Sequence, residues 1–179
     1  SAQEIGPTDI TFKTDGTEMY VVGANGDEVN QFTLSTAWDI STASYTRVFS
    51  VATQETAPSG VFFKTDGTKM YIVGYSGDDV NEYNLSTAWN ISTASFLQIF
   101  SVSSQEANPQ SLAFSSDGTK MFVLGENGLD VNYYSLSTAW NVSTASFSSA
   151  FTLTASEVAV RGLAFSNDGS KMYILDEDD

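Results

Sequence analysis

Lys64-Thr65-Asp66-Gly67-Thr68-Lys69-Met70-Tyr71-Ile72-Val73-Gly74 decides how the rest of the chain is read, because close copies of it occur four times. The Asp-Gly pairs stand at Asp15-Gly16, Asp66-Gly67, Asp117-Gly118 and Asp168-Gly169, a constant spacing of 51 residues. Each pair lies between two short apolar runs, the strongest local signal for a tight β-hairpin. A strict period of this length marks a repeat architecture.

Working outward from the turn, three full repeats cover 3–53, 54–104 and 105–155, and a partial fourth covers 156–179, all read as one domain, 1–179. The strand before each turn (A) alternates apolar residues, as in Ile10/Phe12, Val61/Phe63, Leu112/Phe114 and Leu163/Phe165, which predicts one packed face. The strand after it (B) is apolar throughout, as expected between two neighbouring sheets. A Gly-rich turn leads to strand C. A polar Ser-Thr-Ala-Trp connection holding Trp38, Trp89 and Trp140 then leads to strand D.

Four short antiparallel strands in a repeat of this length predict a β-propeller blade. The pattern "apolar strand, Asp-Gly-Thr-Lys, Met-Tyr-Ile-Val-Gly" resembles the YVTN-type and WD40-related propellers. More closely, it is similar to the Asp-Gly-Thr-Lys-Met-Tyr repeats of bacterial surface and phage-associated proteins. The expected fold is therefore all-β: a propeller of three four-stranded antiparallel blades plus an A–B half blade. Three and a half blades cannot close a ring, so two expectations compete. Either the chain is a fragment of a longer one, or copies associate, most simply as a homodimer.

Composition removes whole classes of chemistry. There is no Cys and no His, so disulfides, thiolate nucleophiles, His-based triads and Cys- or His-ligated zinc are excluded. Seven basic residues against 22 acidic ones give a net charge of −15, which argues against nucleic acid and anionic membrane surfaces as partners. No apolar run is long enough for a spanning helix. The chain begins at Ser1-Ala2 without Met or a visible signal segment, as a processed or partial protein would.

Repetition itself serves as evidence. The face carrying the A–B and C–D loops repeats almost verbatim, so its Asp-Gly turns and its Trp residues are expected to be scaffold. The opposite face varies: strand A opens with Thr8-Asp9, Ser59-Gly60, Gln110-Ser111 and Arg161-Gly162, and the B–C turns carry Ala24, Tyr75, Glu126 and Glu177. Asp9, Tyr75, Gln110, Glu126 and Arg161 are the candidate ligand-binding residues. Arg161 is expected to bind a carboxylate or phosphate, or else to pair with an acidic neighbour such as Asp9 or a glutamate of the D–A loop. Glu4, Glu55, Glu106 and Glu157 recur just before strand A, an arc of carboxylates that either holds Ca²⁺ or hydrogen-bonds locally.

The absence of a catalytic constellation and the resemblance together favour a non-catalytic binding or assembly module of an extracellular, cell-surface or virion-associated protein. Its ligand would be a glycan or a protein, and no cofactor other than Ca²⁺ is implied. The alternative is a propeller hydrolase or lactonase with a carboxylate-held cation at the channel mouth. A third reading makes the chain a spacer between other domains.

Overall fold

In the computed structural model, which describes residues 4–153 and 159–177, the chain forms three four-stranded antiparallel sheets and one two-stranded sheet. Blade 1 is β1 (Pro7–Phe12), β2 (Glu18–Gly23), β3 (Glu28–Leu34) and β4 (Ala43–Ser50), paired in chain order. Blade 2 repeats this as β5 (Pro58–Phe63), β6 (Lys69–Gly74), β7 (Asp79–Leu85) and β8 (Ala94–Ser101). Blade 3 consists of β9 (Pro109–Phe114), β10 (Lys120–Gly125), β11 (Asp130–Leu136) and β12 (Ala145–Thr152). A hairpin of β13 (Val160–Phe165) and β14 (Met172–Asp176) forms the half blade. This is the expected propeller arrangement. No helix is long and apolar enough to cross a membrane.

The Asp-Gly turn closes as the dipeptide predicts. In blade 2 the Gly67 N–H donates to the Lys64 carbonyl at 2.7 Å, and Gly67 has φ +72°, a value that favours glycine. The aspartate caps the turn: Asp15, Asp66, Asp117 and Asp168 each accept the N–H two residues on, at 3.0 Å. The Trp indoles do something the repeat alone did not predict. Each packs on the glycine of its own blade's turn, so that a Cβ at Gly16, Gly67 or Gly118 would come within 2.5 Å of indole atoms. Each also sits against the last Phe of strand A, as Trp140 does on Phe114 at 5.4 Å. The connection that carries it is not featureless: short 3-10 turns at Ile40–Thr42, Ile91–Thr93 and Val142–Thr144 are capped by Asp39, Asn90 and Asn141.

Blades are joined by core and by polar latches. Tyr20, Phe63, Met70, Ile72 and Tyr83 form one buried cluster between blades 1 and 2, and Tyr71, Val73, Phe114, Met121 and Trp140 form its counterpart between blades 2 and 3. The Tyr20 hydroxyl donates to the Trp89 carbonyl at 2.6 Å, and Tyr71 to the Trp140 carbonyl at 2.8 Å. So it is the Trp backbone, as much as its ring, that ties one blade to the next.

Candidate functional site at the channel mouth

Strand A of every blade carries an irregularity near its start. Its pairing with strand B skips one residue, and the skipped residues are Thr8, Ser59, Gln110 and Arg161. These are β-bulges, a device that re-aims a side chain at the end of a strand. In the first two blades the bulged hydroxyl latches the next blade: Thr8 donates to the Pro58 carbonyl at 2.9 Å and Ser59 to that of Pro109 at 2.6 Å. In the last two the bulged side chains make a polar network instead. Gln110 donates to Glu126 Oε2 at 2.7 Å, and Asn108 donates to the same oxygen at 2.8 Å. Arg161 pairs through Nη1 with Glu126 Oε1 and through Nε with Glu177 Oε2, both at 2.9 Å.

All four bulged residues, together with Tyr75, Asn108, Glu126 and Glu177, line one cavity of about 570 Å³ at the mouth. Four of the five candidates therefore meet there: Tyr75, Gln110, Glu126 and Arg161. Hydrogen bonding to Glu126 and Glu177 keeps the Arg161 guanidinium even more firmly charged than usual, since its pKa is raised. Desolvation pushes the Tyr75 hydroxyl above its ordinary pKa, so it is present as a donor at neutral pH. Among the described residues the acidic partners of Arg161 are the B–C turn glutamates Glu126 and Glu177, and Asp9 is not one of them. Asn108 and Glu177 join these four at the site, Glu177 in the repeat position of Glu126.

Asp9 stands apart. Its carboxylate is on the channel wall, where it accepts the Ile10 N–H at 2.7 Å and the Val61 N–H of the next blade at 2.9 Å. It lines a larger cavity of about 780 Å³ between the A strands and the half blade. Burial lifts its pKa to about 6 against those two hydrogen bonds.

The glutamates before strand A form no convergent arc. Glu55 and Glu106 are each 1% exposed and turn inward within their own blade. Glu55 accepts from the backbone of Ala57, Ser76 and Gly77, and Glu106 from that of Asn108, Asn127 and Gly128. Glu4 repeats the pattern with Gly6, and Glu157 lies outside the described residues. Glu55 and Glu106 staple the D–A loop to the B–C turn, which is the local hydrogen-bonding role. Among the described residues no three acidic side chains gather as a metal site. At the mouth itself the space between two carboxylates is filled by the Arg161 guanidinium, so these residues do not fit a carboxylate-held cation.

No known family profile matches the chain, and no curated protein does. Solved structures do. A 6-phosphogluconolactonase candidate from Bacteroides uniformis aligns at 17% identity with TM-score 0.65, over 95% of this chain and 49% of its own. The periplasmic gluconolactonase PpgL of Pseudomonas aeruginosa aligns at 14% identity with TM-score 0.57, over 95% and 42%. Kuenenia stuttgartiensis hydrazine synthase aligns at 17% identity with TM-score 0.64, over 96% and 42%. The chain thus spans about half the length of these neighbours or less, and at such identities the likeness shows a shared propeller fold. The narrower resemblance to surface and phage-associated repeats finds no support among them. They also correct the expectation of a non-catalytic binding or assembly module: these neighbours are named as enzymes, two of them as lactonases, which favours the hydrolase alternative.

Proposed function

We propose that the mouth cavity is the substrate site of a propeller hydrolase that opens a neutral sugar lactone with water. The observation that carries this reading is the Glu126–Arg161–Glu177 row, set by bulges and turns at the one face where the blades differ. Arg161 is a fixed cation that can polarise a lactone carbonyl and stabilise the oxyanion that forms when water adds. Glu126 is the positioning residue. Both of its oxygens are held, one by Arg161 and one by Gln110 and Asn108, so it orients the guanidinium and takes no proton.

Glu177 is the more exposed carboxylate, and among the described residues only its Oε2 has a partner. Its Oε1 accepts a proton from water as the water oxygen bonds to the carbonyl carbon. The tetrahedral adduct then collapses, the ring C–O bond breaks, and the same proton passes to the leaving alkoxide. The product is a hydroxy acid, which at neutral pH releases one proton per turnover.

A neutral substrate is favoured over a phosphorylated one. Two carboxylates flank one guanidinium, so the row already carries a net negative charge. A phosphate 4 Å from a carboxylate is repelled by about 1 kcal/mol even in bulk water. The chain's net charge of −15 adds to this at long range.

A pH-stat assay on glucono-1,5-lactone and on uncharged five-membered sugar lactones tests the reading. Acid release above the spontaneous rate is expected, with Arg161→Met and Glu177→Gln each lowering kcat about 100-fold. Glucono-lactone 6-phosphate should be the poorer substrate. Acid release that never exceeds the spontaneous rate across the panel would remove the proposal.

A further inference from the structure

The joints between blades carry a code that the two ends of the chain also carry. Where a full blade follows, strand B supplies a tyrosine that donates to the next blade's Trp carbonyl. Tyr20 serves Trp89, and Tyr71 serves Trp140, the latter joined by Lys69 Nζ at 3.0 Å. Where the half blade follows blade 3, no Trp is present to accept, and the residue in that register is Phe122, which has no hydroxyl. The polar residues that reach across the earlier joints change there too. Gln31 and Glu82 bond the backbone N–H groups of Ile91 and Val142, and their counterpart in blade 3 is Tyr133.

The latch then reappears on the free side of the half blade. Lys171 and Tyr173 of the last hairpin repeat Lys69 and Tyr71. Tyr173 is 55% exposed and Leu175 63%, whereas Tyr20, Tyr71, Val22, Val73 and Leu124 in the same registers are 0% exposed. The opposite end is its complement. Ile10, Trp38 and Ile40 are 51%, 60% and 66% exposed, whereas Val61 and Leu112, Trp140, and Ile91 and Val142 in those registers are 8% exposed or less. Among the described residues nothing donates to the Trp38 carbonyl, the counterpart of the two carbonyls latched inside the chain.

We propose that a second copy of this chain docks head to tail on the half blade, its Trp38, Ile40 and Ile10 covering Tyr173 and Leu175, with the Tyr173 hydroxyl donating to the Trp38 carbonyl of that copy. The interface continues a joint already made inside the chain, so its chemistry is known in advance: aromatic and aliphatic burial with one hydroxyl-to-carbonyl latch. Applied twice about a two-fold axis it closes a ring of eight positions, the upper end of the usual blade number. Closure also completes the mouth, because the second copy's Thr8 bulge comes to stand beside Arg161. The interface does not depend on the lactonase reading, and its test reads mass rather than turnover.

Light scattering at micromolar concentration is expected to give twice the 19.3 kDa chain mass. Leu175→Lys and Ile40→Lys, both on exposed positions, should each raise the dissociation constant at least ~100-fold and leave monomers with an unchanged circular dichroism spectrum. Tyr173→Phe should weaken association ~30-fold, because each of the two joints loses one hydrogen bond. Because the contact is head to tail, mixing the two Lys variants should restore a 1:1 pair through the one intact joint that each retains. A cooperatively folded wild-type monomer at this concentration would overturn the proposal. So would a dimer indifferent to both Lys variants, or a mixture that stays monomeric.

Discussion

The two faces of this propeller treat the same side chain in opposite ways. On the Asp-Gly face, Asp15, Asp117 and Asp168 are held at pKa values of about 2 by hydrogen bonds from Thr17, Ser115 and Ser166 and from the turn backbone. At Asp66 burial pushes the other way, and bonds from Lys64 and Thr68 outweigh it, again to about 2. On the channel wall burial raises Asp9 to about 6, and beside the B–C turns it raises Asp79 to about 6, with help from the charge of Glu55, and Asp130 as well. The turn aspartates have had their charge satisfied; the opposite end of the blades, the repeated Asp79 and Asp130 included, retains carboxylates whose charge is disfavoured by burial. Unfavourable titratable groups concentrated on one face are the mark of a surface shaped by something other than stability.

The largest expected effect tests whether stability really resides on the repeated face. Glu82 is fully buried and pairs with Lys69, accepts from Gln98 at 2.6 Å and accepts the Val142 N–H at 3.0 Å. Glu82→Ala takes the partner from the half-buried Lys69 and breaks a blade joint at once, and should cost about 3–5 kcal/mol in urea unfolding. Glu82→Gln should cost far less, since Gln31 fills the same place in blade 1 by bonding Trp89 and Ile91. On the mouth face, Arg161→Met removes only partly exposed pairs and should change stability by less than about 1 kcal/mol. Equal losses for Glu82→Ala and Arg161→Met would erase the distinction between the faces.

A second pair of variants sharpens it within the repeated face. Gly118 and Gly169 share almost the same backbone, with φ +71° and +70°. Gly118 is roofed by Trp140, while nothing lies within 4 Å of where a Cβ at Gly169 would be. Gly169→Ala therefore meets backbone strain alone, about 1 kcal/mol, and Gly118→Ala adds the displacement of an indole, for about 2–3 kcal/mol in total. Similar midpoints for the two would mean that the Trp roof contributes nothing.

Most of the fold was legible because the Asp-Gly period and the alternation of strand A each state the same hairpin four times. That one face varies was legible for the same reason: Arg161 and Gln110 are conspicuous where Thr8 and Ser59 are plain hydroxyls. The bulges were not legible. A skipped register leaves no trace in hydrophobic alternation, and only the pairing shows that these four positions are re-aimed together. Asp9 was misplaced by the same blindness, because one residue along a strand turns a side chain from the mouth to the wall. The glutamates before strand A repeat perfectly, and sequence symmetry alone could not show that Glu55 and Glu106 bond inward to their own B–C turns.

The pH dependence of stability follows from the opposite treatment of the two sets of aspartates. Asp9 and Asp79 have folded pKa values of about 6, above the ~3.9 of an unfolded chain, so between those values the folded state binds protons that the unfolded state does not. Their stabilising contribution is full below pH ~3.9 and is lost as pH rises through 6. The turn aspartates, at about 2, contribute stability above pH ~3.9 that is lost as pH falls toward 2. The melting temperature should therefore peak between about pH 4 and 5 and decline on both sides. The neutral limb is worth about 1–2 kcal/mol per residue once solvent screening is allowed for. Self-repulsion in a chain of net charge −15 would also weaken the fold toward neutral pH, and Asp9→Asn with Asp79→Asn separates the two causes. The double variant should lose most of the neutral limb and keep the acid limb, because the Asp-Gly turns are untouched. Asp117→Asn should shrink the acid limb by the share of one of its four turn aspartates and leave the neutral limb at full size. A neutral limb that survives the double variant at full size would assign it to net charge, and the electrostatic contrast between the faces would then carry no weight in the stability of the fold.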